Sequence, residues 1–302
     1  MSTVAWVESP LQLLGAAEWA DAAAERVTIA GRLTAQMSET ADELLARKAS
    51  FGVLEPYLGI PWKLLSQHRH WLVGDGFSGQ FRLAAAVLRP RRITFLDDGA
   101  NAIPFADTLL GRRAYARPGI HERGLTTVVA PFAFDAIHTR ARHTQVELFT
   151  AFDLGDERID RLRQIGIRTT AHRFEWTRRT APATDLGARR VLLGSAQPVD
   201  GRLDLTTYLE WVRAEAGVAP VAYLPHRREP DSQLQAIAAI PGVRVVETHL
   251  PVELVLAGAT EPLEVLTLPS SAATTLALVL EGSDSVLRAR DPRARQRRRA
   301  VR

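Results

Sequence analysis

Short apolar runs recur along this chain, and most are followed by a stretch in which apolar residues return every three or four positions. Residues 3–7 are the first run. Ser9, Pro10, Leu11 and Gln12 follow with the form of a helix start: a hydroxyl cap, proline at the first helical position and Gln three residues after the cap. That helix runs to about residue 24, and a second strand covers 27–30. Further strands are expected over 71–73, 93–96, 146–152 and 168–174, with helices over 38–49, 78–88 and 156–165. Residues 50–62 read as an aromatic-rich connection, and 111–145, broken by Pro and Gly, as a long connection without clear period. The stretch 177–188, with Pro182 and Gly187, reads as a linker. The pattern then restarts, with strands over 190–194, 221–224, 243–246 and 263–268, and helices over 203–216, 232–240, 252–257 and 271–280.

Alternation of this kind predicts an α/β chain of two Rossmann-like parallel-sheet domains. The expected boundaries are 1–176, a linker at 177–188, 189–287, and a tail over 288–302. Length agrees, because beyond about 250–300 residues a chain tends to split into separate cores, and this one has 302 residues, 46% of them hydrophobic. There is no cysteine, which excludes disulfides and thiolate metal sites. The first residues lack the basic and apolar regions of a signal peptide, and no apolar run reaches the length of a membrane span. A cytoplasmic protein is expected. The net charge of +4 is a property of the tail: residues 288–302 hold eight Arg and one Asp, leaving the rest at −3. Weak contact of that tail with an anionic membrane face is one expectation, and an incidental tail is the other.

Candidate chemistry sits at strand ends, where ligands of open α/β sheets bind. The strand over 93–96 runs into Asp97, Asp98 and Gly99, two adjacent acids at a rim. Alone, that triplet is an ordinary turn; in a site, one acid can serve as a general base. Gly74, Gly76 and Gly79 match no phosphate-loop spacing and read as a flexible rim. In the second half, Gly194 opens a small-residue loop that lets a ligand approach the backbone. Pro225, His226 and Arg227 put an imidazole among cations, which suits an anion. Pro251 and Glu253 open a helix, with Glu253 either favourable at its amino end or a ligand for vicinal hydroxyls. Ser270 and Ser271 open the last helix, where hydroxyls and free N–H groups suit a phosphate, and where Ser270 is equally an N-cap.

Asp97-Asp98-Gly99, Pro225-His226-Arg227 and Ser270-Ser271 resemble, in order and position, three short motifs of bacterial sialyltransferases and polysialyltransferases. The proline here precedes the histidine. Ser9 to Leu13, Gly194 and Pro251 to Glu253 are also similar to that family. The resemblance implies a GT-B fold, two Rossmann-like domains facing across a cleft. It further implies an inverting, metal-independent glycosyltransferase with no cofactor, moving a nonulosonic acid from a CMP-activated donor such as CMP-sialic acid to a glycan or glycolipid acceptor. On it, Asp97 is the general base and Asp98 its neighbour or alternative. His226 contacts or protonates the departing phosphate, with Pro225 and Arg227 beside it. Ser270 and Ser271 bind the same phosphate, Glu253 holds the ribose hydroxyls, and Gly194 lines the nucleotide cleft. Such a protein would work at the inner face of the membrane in surface-glycan synthesis.

Two other readings compete. One is a UDP-sugar transferase or a nucleotide-sugar epimerase of the same architecture. The other is a non-catalytic nucleotide-binding protein. Aromatic residues at 7%, not interleaved with basic ones, argue against a nucleic-acid platform.

Overall fold

Thr3–Val7 carries no charge and is buried at every position, as a strand covered on both faces must be; it forms β1. The computed structural model describes residues 2–97 and 99–292, with Leu125 and Thr126 described by backbone alone. The chain divides into two compact units, Met1–Trp176 and Thr177–Arg302.

In the first unit β1 is followed by α1 (Pro10–Ala22), β2 (Val27–Arg32), α2 (Ala35–Ala46), β3 (Phe51–Tyr57), α3 (Trp62–Gln67), β4 (His70–Val73) and α4 (Gly79–Leu88). Then come β5 (Arg92–Phe95), α5 (Ala102–Leu109), α6 (Leu125–Ala141), β6 (Val146–Thr150), α7 (Asp156–Gln164) and β7 (Ile167–Ala171), and α8 (Glu175–Thr180) runs across the division between the units. Among the described residues the sheet has the order β3-β2-β1-β4-β5-β6-β7, and every pairing is parallel. Its direction of winding reverses between β1 and β4. One face is sealed by Trp71, Phe81, Phe95 and Phe105, with Phe95 and Phe105 edge to face at 4.6 Å.

The second unit contains β8 (Arg190–Leu193), α9 (Leu205–Ala216), β9 (Val221–Leu224), α10 (Asp231–Ala238), β10 (Val243–Val245), α11 (Val252–Leu256), β11 (Glu264–Thr267), α12 (Ala272–Val279) and β12 (Val286–Ala289). Its sheet order is β10-β9-β8-β11-β12, again all parallel, with the reversal between β8 and β11. Its core is built on Tyr208, Trp211, Tyr223 and Leu266. The α/β class and the two parallel sheets are as the sequence predicts.

Four stretches differ from the sequence reading. Residues 50–62 contain β3, an outer strand, where Pro56 is tolerated because the proline lacks only an outward-facing donor. Residues 111–145 contain the long helix α6, which carries Pro131 inside it. Part of the expected linker is ordered structure: α8 reaches Thr180, and Thr184 bridges Ala259 in parallel. The expected tail begins inside β12, which pairs with β11, so Arg288 and Ala289 belong to the sheet. The remaining tail expectation falls on residues 293–302, outside the described residues.

A buried polar chain crosses the first sheet. The Thr94 hydroxyl donates to Glu147 at 3.0 Å, so His70 Nε2, also 3.0 Å from that hydroxyl oxygen, must be the donor to it. Burial, helped by the charge of Arg92, lowers His70 to about 4. Its unfolded value is near 6.5, so between pH 6.5 and 4 the unfolded chain takes up the proton first. Stability is therefore expected to fall as pH drops through that window, by about 3 kcal/mol from this residue. Urea unfolding of the first unit from pH 7 to 4 checks this: His70→Gln should flatten the slope, and an unchanged slope would rule His70 out as its source.

Candidate functional site

In the second unit, the loops after β8, β9 and β11 leave from the same edge of the sheet, beside the winding reversal where such sheets bind ligands. The residue that joins two of them is Glu229. It is buried, and its Oε1 accepts from Tyr223 Oη (2.6 Å), Gln233 Nε2 (2.7 Å), Tyr208 Oη (3.4 Å) and the Ser195 N–H (3.3 Å). Oε2 accepts from the His226 N–H at 2.8 Å. Burial raises this carboxyl above the usual range, against the pull of those donors. A Cβ at Gly194 would overlap the Glu229 carboxylate and the Pro225–His226 backbone. Gly194 is thus required by loop packing, a reason different from the ligand approach expected of it. The loop after β11 is tied in by Gln197, whose Nε2 donates to the Pro269 carbonyl at 3.2 Å.

On this frame His226 is half-buried, and its Nδ1 accepts from the Arg228 N–H at 3.2 Å. Burial, then the charges of Arg228 and Arg227, lower its pKa below the ordinary value. In the neutral ring the proton sits on Nε2, inferred from the bond at Nδ1. The ring is a hydrogen-bond donor there. Arg228 is committed to Asp200 through two parallel bonds of 2.8 and 2.9 Å. Arg227, by contrast, is exposed and makes no ion pair among the described residues.

Ser270 and Ser271 are both exposed just before α12. The cap position belongs to Ser271, in helical conformation, and its side chain makes no capping bond. The N-cap expected at Ser270 is therefore absent, and neither hydroxyl is spent on the cap. Glu253 lies in the first turn of α11, the place of an acid favourable to the amino end of a helix, which is one of its two expected roles. It is buried, and Thr275 Oγ1 donates to it at 2.6 Å, so it serves α12 from inside the unit.

In the first unit the acids at the carboxyl ends of the strands are unequal. Asp97 is 3% exposed. Its Oδ1 accepts from Thr150 Oγ1 (2.5 Å), and its Oδ2 from the Ala151 N–H (2.7 Å) with His172 Nδ1 at 3.4 Å. It lines a cavity of about 20 Å³, room for about one water. Asp98 lies outside the described residues. Asp75 is buried, accepts from the Phe77 N–H and pairs with Arg117. The third acid, Glu8, went unnoticed in the sequence. It follows β1 at the reversal point, with Arg32 at 3.3 Å and the Ser78 hydroxyl at 3.4 Å, and is the most accessible of the three. Near it, Trp6 Nε1 and Tyr57 Oη are buried beside each other, the two rings edge to face at 6.1 Å. Gly74 and Gly76 are not a flexible rim: a Cβ would overlap Gln12 at the first and the Phe105 ring at the second.

Among the described residues no helix is long and apolar enough to cross a membrane, and no group of three or more acids and histidines offers a metal site. No protein-family model matches the chain, and no curated protein does. Among solved structures, E. coli heptosyltransferase WaaC with ADP-2-deoxy-2-fluoro heptose is similar at 12% identity over 100% of this chain and 99% of that one, with a TM-score of 0.45. The same enzyme with ADP aligns at 11% over 95% and 86%, with a TM-score of 0.43. UDP-glucose: anthocyanidin 3-O-glucosyltransferase in complex with UDP aligns at 11% over 96% and 80%, with a TM-score of 0.44. At these values the likeness assigns no substrate and no residue role.

Proposed function

We propose that this chain is a glycosyltransferase that takes its sugar from a nucleotide-activated donor and binds the donor phosphate at the loop edge of the second unit. The observation that carries this reading is a set of unspent groups on one edge: the His226 Nε2–H, the Arg227 guanidinium, and the hydroxyls of Ser270 and Ser271. In transfer, a bond forms between an acceptor oxygen and the anomeric carbon while the bond from that carbon to the phosphate oxygen breaks. Negative charge collects on the leaving phosphate, where fixed donors are most effective. Arg227 supplies charge, and His226 supplies a neutral hydrogen bond. The acceptor's proton goes to a carboxylate. Glu8 suits that task better than Asp97, because it is the more accessible acid and its partners lie at 3.3 and 3.4 Å, against 2.5 and 2.7 Å for the partners that hold Asp97.

The finer reading, a CMP-activated nonulosonic acid such as CMP-sialic acid as donor and a glycan acceptor, is supported by the acidic, histidine and serine motifs alone. Calorimetry with CMP, UDP and ADP tests both levels. One nucleotide is expected to bind, and Ser270→Ala with Ser271→Ala should weaken it by roughly 1.5–3 kcal/mol for each lost bond to the phosphate. Unchanged affinity in the double variant would remove the phosphate role. Binding of UDP or ADP without CMP would discard the nonulosonate donor and leave the transferase.

A further inference from the structure

The edge of the first sheet opposite its acids, at the amino ends of β4, β5 and β6, holds a concave site of about 600 Å³. His68 and Arg69 enter it just before β4, Arg89 and Arg91 just before β5, and Arg140 and His143 just before β6. Among its described lining residues there is no Asp or Glu. Arg69, Arg89 and Arg91 form no ion pair among the described residues. Other arginines of this unit are neutralised, as with Arg82 on Glu122 at 2.5 Å and Arg158 on Asp107 at 2.8 Å. Here several cations converge with nothing opposing them, an arrangement whose mutual repulsion an anion relieves.

The site is also built. Arg140 Nε donates to the Pro90 carbonyl at 2.8 Å and Nη2 to the Arg89 carbonyl at 3.3 Å, which leaves Nη1 for the cavity. The Arg91 and Arg92 N–H groups both bond the Arg69 carbonyl, at 2.9 and 3.0 Å, locking the turns before β4 and β5 together. Arg89 sits in the left-handed region, φ 47° and ψ 65°, a conformation usually left to glycine or asparagine and further disfavoured before proline. His68 Nδ1 lies 2.8 Å from the Leu64 carbonyl, to which it must donate, so its Nε2 remains open.

We propose that this pocket binds a ligand carrying two or more phosphate groups, at a site separate from the donor phosphate site of the second unit. The number of guanidinium groups exceeds what one phosphate needs, and the concave shape suits a compact polyanion over an extended nucleic-acid backbone. The same chemistry comes from a free polyphosphate or from a phosphoinositide headgroup.

The test uses the full chain, so that residues 293–302 contribute equally to every sample. Inorganic pyrophosphate is titrated by calorimetry into the native protein and into Arg69→Gln with Arg91→Gln, both changes at exposed positions. Binding should weaken about tenfold or more, with the unfolding midpoint and sugar-transfer rate unchanged. If the double variant unfolds more readily, the single Arg91→Gln variant carries the test, with a several-fold loss expected. Sedimentation with phosphatidylcholine vesicles, with and without phosphatidylinositol bisphosphate, separates the sources. Retention on the bisphosphate vesicles that the double variant loses marks a headgroup, and pyrophosphate binding without retention marks a free ligand. Equal pyrophosphate affinity in native and variant protein, or none in the native protein at millimolar pyrophosphate, overturns the proposal.

Discussion

Glu229→Ala is expected to cost the second unit about 3–5 kcal/mol and to abolish nucleotide binding. The change strips a buried acceptor from donors that stay where they are, and such a loss carries the full desolvation penalty of each stranded group. Tyr208 and Tyr223 would face each other at 2.6 Å with no carboxylate, and the N–H groups of Ser195 and His226 would lose their partner. Because those two N–H groups belong to different loops, the relative placement of His226 and the β8 loop goes with them. Glu229→Gln keeps the volume but turns an amide N–H₂ toward one donor, so a smaller loss of about 1–3 kcal/mol is expected. Trp211, buried and the one tryptophan of this unit, reports the unfolding. An unchanged midpoint together with native nucleotide affinity would show that the loops hold their shape without Glu229.

The second large effect concerns the proton acceptor. Glu8→Gln should lower transfer by about 10²–10⁴-fold with nucleotide affinity intact, since Glu8 lies in the first unit and its carboxylate is bonded there to Arg32 and Ser78. Asp97→Asn should act mainly on stability, by about 1–3 kcal/mol. An asparagine cannot accept at both positions, and either Thr150 or the Ala151 N–H loses its partner. Transfer rates and urea unfolding of the two variants, measured side by side, decide the matter. If Asp97→Asn is inactive with native stability and Glu8→Gln is active, the base is Asp97, working through the water-sized cavity beside it.

The central strands were legible because β1, β8 and β9 are apolar runs buried on both faces. β3 was not, since it mixes Gly52, Glu55 and Pro56 into seven residues, a composition that only an outer strand accepts. α6 escaped for another reason. Apolar residues lie all around it, with Val128 and Phe132 exposed, so no stripe at helical spacing marks a face. At the candidate site the sequence pointed to His226, Arg227, Ser270 and Ser271 through strand-end position. It could not point to Glu229, whose partners are Ser195, Tyr208, Tyr223 and Gln233, brought near only by the sheet. Asp97 misled for a related reason. A strand-end acid looks the same in sequence whether it faces water or the hydroxyl of a neighbouring strand.

The place of β12 bears on any attempt to discharge the carboxyl terminus by deletion. Cutting the chain at residue 288 removes half of an outer strand, four residues long, that covers β11. Leu266 and Thr267, buried in the intact unit and paired with Arg288 and Ala289, would then lie on an open ladder of N–H and C=O groups, ready to recruit the same ladder from another molecule. A shortened protein that precipitates would report self-association through a bare β-edge and nothing about the arginines that were lost. Replacing Arg by Gln from residue 293 onward removes the charge and leaves the edge covered.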